Sequence, residues 1–218
     1  MSGNGKGLET VLSCWEEASG PARARATADV VVAAETHLGG ARGAAGDAER
    51  ELLHRFLERT SIPAFLGSLP DAVHRERWAA ACLAAIRRSQ YTLETMLAHR
   101  ALTIGAHALF EEYGRTSPAR WSYARVHART RSFAATFLAA GGPETRVALC
   151  LDNSVDGACS DLACLLHGIL VTPLSIHFTT DELVWIFERL GITVAVADND
   201  ERLHRLLEVR KRVTHPFT

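Results

Sequence analysis

The stretch RVALCLDNSVDGACSDLACLLHGILVTPL, residues 146–174, carries the fold in miniature. It opens on a short apolar run at 146–151, strand-like in length and too brief for a helix. Asp152-Asn153-Ser154 follows, and Asn153 or Ser154 can cap a helix by accepting a hydrogen bond from a free amide of the first turn. The spacing predicts a helix over 154–167 that closes at Gly168, a residue free to take the left-handed conformation. A second apolar run, 169–174, comes next. Two buried strands joined by a helix are the unit of a parallel sheet.

The same alternation extends outward. Thr179-Thr180-Asp181-Glu182 reads as a capping box, in which the hydroxyl and the carboxylate satisfy each other's backbone amides. The helix behind it runs to Leu190 and ends at Gly191. A β-rich run at 192–197 and a last helix at 200–213, through Leu203, Leu206 and Leu207, complete this side. Upstream, a helix at 124–139 should bury Val126, Phe133 and Phe137. Before it, 106–113 and 120–123 read as two hairpin strands, with Gly-Arg-Thr-Ser-Pro-Ala at 114–119 as the turn. The fold class is α/β: a partial parallel sheet with flanking helices, covered on both faces.

The residues ahead of this region follow a helical period. The start, to about residue 20, reads as weakly structured, and 25–38 as a helix. Gly39 to Gly46 reads as a linker. Leu52, Leu53, Phe56 and Leu57 place a helix over 47–59, and Pro63 and Pro70 mark a break at 61–70. Asp71 can cap the next helix, on which Trp78, Ala81, Cys82, Ala85 and Ile86 fall on one face. A shorter helix at 92–100 carries Leu93, Met96 and Leu97. The division expected is a helical extension at 1–90 and an α/β part at 91–218.

Composition narrows the function. Of 218 residues 47% are hydrophobic and 22% charged, a globular balance too apolar for a disordered chain. Lys and Arg number 24 against 25 acidic residues, a net charge of -1 that calls for no nucleic acid or anionic membrane. Lysine occurs only at Lys6 and Lys211, so a phosphate-gripping lysine has almost nowhere to sit. Residues 162–180 contain no Asp, Glu, Lys or Arg, but His167, Gly168, Pro173 and His177 interrupt them, so no membrane span is expected. Five cysteines in apolar runs, with no secretory signal ahead of them, imply reduced thiols and a cytoplasmic setting.

The second half also has a recognisable order of motifs. Trp121-Ser-Tyr-Ala-Arg-Val is followed by a small-residue helix to Ala-Ala-Gly-Gly, then by Arg-Val-Ala-Leu-Cys-Leu-Asp-Asn-Ser. Leu165-Leu-His-Gly-Ile-Leu-Val-Thr-Pro-Leu174 and the Thr180-Asp-Glu-Leu helix come next. In that order they resemble the opening of the adenylate-forming (AMP-binding) superfamily, over roughly 91–213. The ending Asp-Asn-Asp-Glu-Arg-Leu-His-Arg-Leu-Leu-Glu-Val-Arg is most similar to fatty acyl-CoA synthetases, or long-chain fatty acid-CoA ligases. Two departures stand out. Pro143-Glu144-Thr145 replaces the family's Gly-Asp, and His167 stands where a lysine is common.

The resemblance implies ATP-dependent joining of a carboxylate to AMP, then transfer of the acyl group to a thiol. ATP, Mg2+, CoA and a fatty acid are thereby implied for a full-length member. Such chemistry needs cations and backbone amides around the phosphates. The family supplies them from a Ser/Thr/Gly-rich loop ending in Pro-Lys, a Thr-Glu pair, a ribose-binding Asp and a late Lys, none of which occurs here. The resemblance brings no catalytic and no metal-binding residue onto this sequence and leaves cofactor-binding residues unassigned. The chain reads as the amino-terminal portion of a synthetase, inactive by itself, whose partner is the remainder of the enzyme or a complementary chain. An exposed sheet edge also implies self-association.

Other clusters read as structural. Cys150, Cys159, Cys164 and His167 do not have zinc-site spacing and pack as small apolar residues. His99 and His107 lack a nucleophile or third ligand, while His167 and His177 flank a strand end where open sheets bind ligands. Ser154 and Asp156 have no Gly-x-Ser-x-Gly setting. The Gly39–Gly43 and Gly141–Pro143 glycine pairs lack phosphate-loop neighbours, and Arg210-Lys211-Arg212 suits a helix end. Two further functions stay open: a stand-alone, non-enzymatic acyl- or protein-binding module descended from such an enzyme, and an interaction module centred on 47–100.

Overall fold

A computed structural model describes residues 7–41, 43–113 and 118–218. The chain divides into two compact units, Met1–Thr92 and Leu93–Thr218.

The first unit is helical. The start expected to be weakly structured instead forms α1, Leu8–Glu17. Leu8, Val11, Leu12 and Trp15 recur at helical spacing and are all buried, which outweighs the glycine-rich lead-in. The Trp15 indole donates to Thr27 Oγ1 at 2.9 Å and its ring lies 5.2 Å from Phe65. α2 runs over Gly20–Gly40, so the first two glycines of the expected linker belong to a helix. α3, Asp47–Thr60, buries Leu53, Phe56 and Leu57. The break at 61–70 holds a single turn, α4, Pro63–Leu66, with Phe65 fully enclosed. Each enclosed aromatic or leucine contributes about 1.5–3 kcal/mol against exposure.

α5, Ala72–Ser89, begins as expected, with the Asp71 carboxylate accepting from the His74 amide at 2.9 Å. Of its predicted face, Ala81 and Ala85 are buried, Trp78 and Cys82 partly so, and Ile86 is 39% exposed. Two arginines tie α5 to its neighbours. Arg77 grips Glu35 on α2, and Arg88 holds Glu49 on α3 at 2.5 and 2.8 Å.

The second unit starts with α6, Leu93–Thr103, then β1, Ala108–Tyr113, and β2, Pro118–Ser122. The two strands pair antiparallel, with Glu111 opposite Arg120 and a bulge between Ala108 and Phe110. Residues 114–117 of the expected turn lie outside the described residues. α7 spans Tyr123–Gly141, and β3 follows at Arg146–Cys150. α8, Val155–Leu166, leads to β4, Leu170–Pro173. α9, Thr180–Leu190, leads to β5, Val194–Ala197, and α10 covers Asp200–Arg210, three residues short of the expected end.

β3, β4 and β5 form one parallel sheet in the order β4-β3-β5. Alternation along β3 divides the core. Val147 and Leu149 pack with Phe137 of α7 and Ala163 and Cys164 of α8. Ala148 and Cys150 pack on the other face with Leu183 and Phe187 of α9 and Leu206 and Val209 of α10. Both faces are therefore covered, and the α/β reading stands. The predicted glycine terminators hold: Gly168 has φ 67° and Gly191 φ 61°.

The last residues fold back on this unit. Phe217 is buried with its ring 4.7 Å from Phe187. Thr218 bonds to the outer side of β5, its amide to the Thr193 carbonyl at 3.0 Å and its carbonyl from the Ala195 amide at 2.8 Å. Those two bonds make one rung of a parallel pairing.

Candidate functional site

Open parallel sheets bind ligands beyond the carboxyl ends of their strands, where neighbouring connections leave toward opposite faces. Here β3 leads into α8 on one face and β5 into α10 on the other. Between those two loops sits Arg202, only 8% exposed. Its Nη1 donates to both Asp198 carboxylate oxygens at 2.5 and 2.6 Å, and its Nη2 lies 2.8 Å from Asp152 Oδ1. The Asp152 amide donates to Asp198 Oδ2 at 2.7 Å, so the loop after β3 is tied to the loop after β5. Burial alone would push the Asp198 carboxyl up. The Asp152 amide and the Arg202 guanidinium outweigh it and hold the group below its ordinary value.

Beside this cluster, between the ends of β3 and β4, lies a crevice of about 410 Å³. Leu149, Leu151 and Leu174 supply its apolar wall, and Asp152, Asn153, Ser154 and Asp161 its polar groups. Ser154, one of the two cap candidates, is the cap itself: its Oγ accepts from the Gly157 amide at 3.0 Å. Gly157 permits the tight approach, since a Cβ there would meet the Asp152 carbonyl at 3.0 Å. The charged groups on this wall are both carboxylates, and Asp152 is already bound by Arg202. Phosphates need cations and amides facing them. Among the described residues no three His, Cys, Asp or Glu side chains converge as a metal set. These side chains therefore do not fit a nucleoside triphosphate, its magnesium ion or the phosphates of CoA. What the arrangement does is fix the loops at the edge of the sheet.

The other singled-out residues are dispersed. His167 and His177 do not flank one strand end: His167 caps α8 before β4, and His177 follows β4, both exposed. Cys150 lies on one face of the sheet and Cys164 on the other, with Cys159 in a third cluster beside Val126. Burial pushes all three thiols up, Cys164 to about 12, and does the same to Cys82, to about 11. Cys14 is exposed. Asp156 pairs with Arg129 at 2.8 and 2.9 Å. Among the described residues His107 bonds only through its backbone, to Ile104 and Tyr123, and His99 lies within α6. Lys211 pairs with Glu208, and Arg212 with Asp181 at 2.7 Å. Gly141 is packed tightly against Thr145 and Thr193, a structural role. Sequence reasoning missed the Asp152–Asp198–Arg202 cluster, although Asp198 and Arg202 stand at the i, i+4 spacing of a helical ion pair.

Comparison with known proteins bears on this geometry. No curated protein matches the chain. Among solved structures, a Rhodopseudomonas palustris protein provisionally assigned as a long-chain-fatty-acid CoA ligase is 22% identical, with a TM-score of 0.50 over 58% of this chain and 31% of its own. A Mycobacterium tuberculosis fatty acyl CoA synthetase is 22% identical, with a TM-score of 0.46 over 56% of this chain and 24% of that one. A Burkholderia xenovorans benzoate CoA ligase is 17% identical, with a TM-score of 0.46 over 58% and 26%. At these identities the likeness concerns the fold alone, and the chain spans less than a third of each of the three. The profile of the family described as AMP-binding enzyme matches residues 99–217, over half of the chain and nearly all of its second unit. The chain therefore belongs to the AMP-binding enzyme family.

Proposed function

We propose that this chain is the amino-terminal, sheet-forming portion of an ATP-dependent acyl-CoA synthetase and that by itself it performs neither adenylation nor thioester formation. The observation that carries this reading is the carboxyl edge of the sheet. The charged groups lining its crevice are the carboxylates of Asp152 and Asp161, and its nearest buried cation, Arg202, is held by Asp198 and Asp152. A family match over 99–217 accompanies that edge. The rung between Thr218 and the outer side of β5 fits a sheet that carries a further parallel strand. On this reading the partner is the rest of the synthetase, covalently continuous or supplied as a complementary chain, in a reducing cytoplasmic setting. A fatty acid, ATP, Mg2+ and CoA are then handled by the completed enzyme.

The test is pyrophosphate release from ATP with a series of fatty acids, with and without CoA. The chain alone should give none above buffer. Mixing or joining it with the carboxy-terminal segment of a family member that carries the missing motifs should restore turnover. Turnover by the chain alone would overturn the proposal.

A further inference from the structure

The first unit carries a cavity that the family match does not reach, since it lies wholly ahead of residue 99. The cavity, of about 480 Å³, is bounded by the end of α2, the segment before α3 and the end of α5. Its charged lining side chains, among the described residues, are Arg50, Arg87 and Arg88, and its apolar wall includes Leu38, Ala45 and Ala84.

The three guanidiniums are not equivalent. Arg88 is committed: it grips Glu49 at 2.5 and 2.8 Å and donates to the Gly43 carbonyl at 3.0 Å. Arg50 is half committed, paired with Asp47 and donating to the Ala45 carbonyl at 2.8 Å. Arg87 is exposed and has no ion pair or hydrogen bond among the described residues. Among the described residues, these three positive charges set against Asp47 and Glu49 leave one positive charge uncompensated, on Arg87. His37 also approaches Glu49, at 3.3 Å, and adds no negative charge.

We propose that this cavity binds a small carboxylate with a short hydrocarbon body. The head would sit on the Arg87 fork, whose paired donors match a carboxylate, and could share the spare donors of Arg50. The body would lie on Leu38, Ala45 and Ala84. The volume falls within the range of small-molecule sites. A dianion such as phosphate fits less well, because among the described lining residues its second charge meets no further free cation.

Titration of the full chain with sodium butyrate at low ionic strength, followed by amide and arginine Nε–H NMR signals, tests the proposal. Saturable shifts are expected at Arg87, Ala45 and Ala84, with none from butyramide or from sodium chloride at equal ionic strength. R87Q should weaken binding about tenfold, the loss of one charge-assisted hydrogen bond, whereas R75Q, at the far end of α5, should leave it unchanged. An equal response to butyramide would make the cavity a merely apolar groove and overturn the proposal. A stronger response to inorganic phosphate, an undiminished response in R87Q, or no saturable shift would do so too. The butyrate–butyramide comparison on the unaltered chain decides the matter even if R87Q fails to fold.

Discussion

At Arg202 one guanidinium answers two carboxylates that come from loops after different strands, and the consequences are specific to those side chains. Asp198 has a folded carboxyl below its ordinary value of 3.8, so the unfolded chain takes up its proton first as the solution is acidified. Its stabilisation is complete above that ordinary value and is lost as pH falls through the depressed one. D198N should therefore lower the urea midpoint at neutral pH and flatten this part of the acid limb. Midpoints measured from pH 7 to pH 2 would reveal it. An acid limb of unchanged slope would show that the cluster is not coupled to folding. Removing Arg202 would be worse for the same loops, because it takes away the cation that the Asp198 and Asp152 carboxylates share.

Single elements rest on their terminators and apolar stripes. α9 is the best specified: Thr179 accepts from the Glu182 amide, Glu182 accepts from Thr179, and Gly191 closes the far end in the left-handed region. T179A should cost about 1 kcal/mol of unfolding free energy, seen as a lower denaturation midpoint with an unchanged slope. A loss near zero would mean that packing of Leu183 and Phe187 alone sets this helix. The elements written most plainly in the sequence were those with such local signals. The caps at Asp71 and Thr179, the glycines at 168 and 191 and the short apolar run of β3 all lie where their residues place them. α1 was not legible, because its glycine- and serine-containing surroundings mask a four-residue apolar stripe that becomes decisive only once Trp15 finds Thr27 and Phe65. The loop cluster at the sheet edge was hidden for a related reason. Asp152 and Arg202 are far apart in sequence, and only the β4-β3-β5 order brings them together. The separation of His167 from His177 follows from strand direction, since a residue before β4 and a residue after it must lie at opposite ends.

For the molecule as a whole, the sheet has two outer edges. β4 presents Leu170, 48% exposed, and β5 carries a single rung to Thr218. Unpaired strand edges of this kind template further pairing, so self-association is expected in concentrated solution. Light scattering across a concentration series checks it; a monodisperse monomer throughout would refute it. Between these scales stands the uneven burial of the cysteines. Four of the five thiols are held high by burial, two of them to about 11 and about 12, so the reactive thiolate form is scarce at neutral pH. Cys14 alone lies in the open, on α1. A maleimide dye should accordingly add once per folded chain, with peptide mass mapping locating it at Cys14 and a second adduct appearing only on denaturation. Without any engineered residue, the protein thus carries one addressable handle on its helical unit, from which ligand uptake or assembly could be followed by fluorescence.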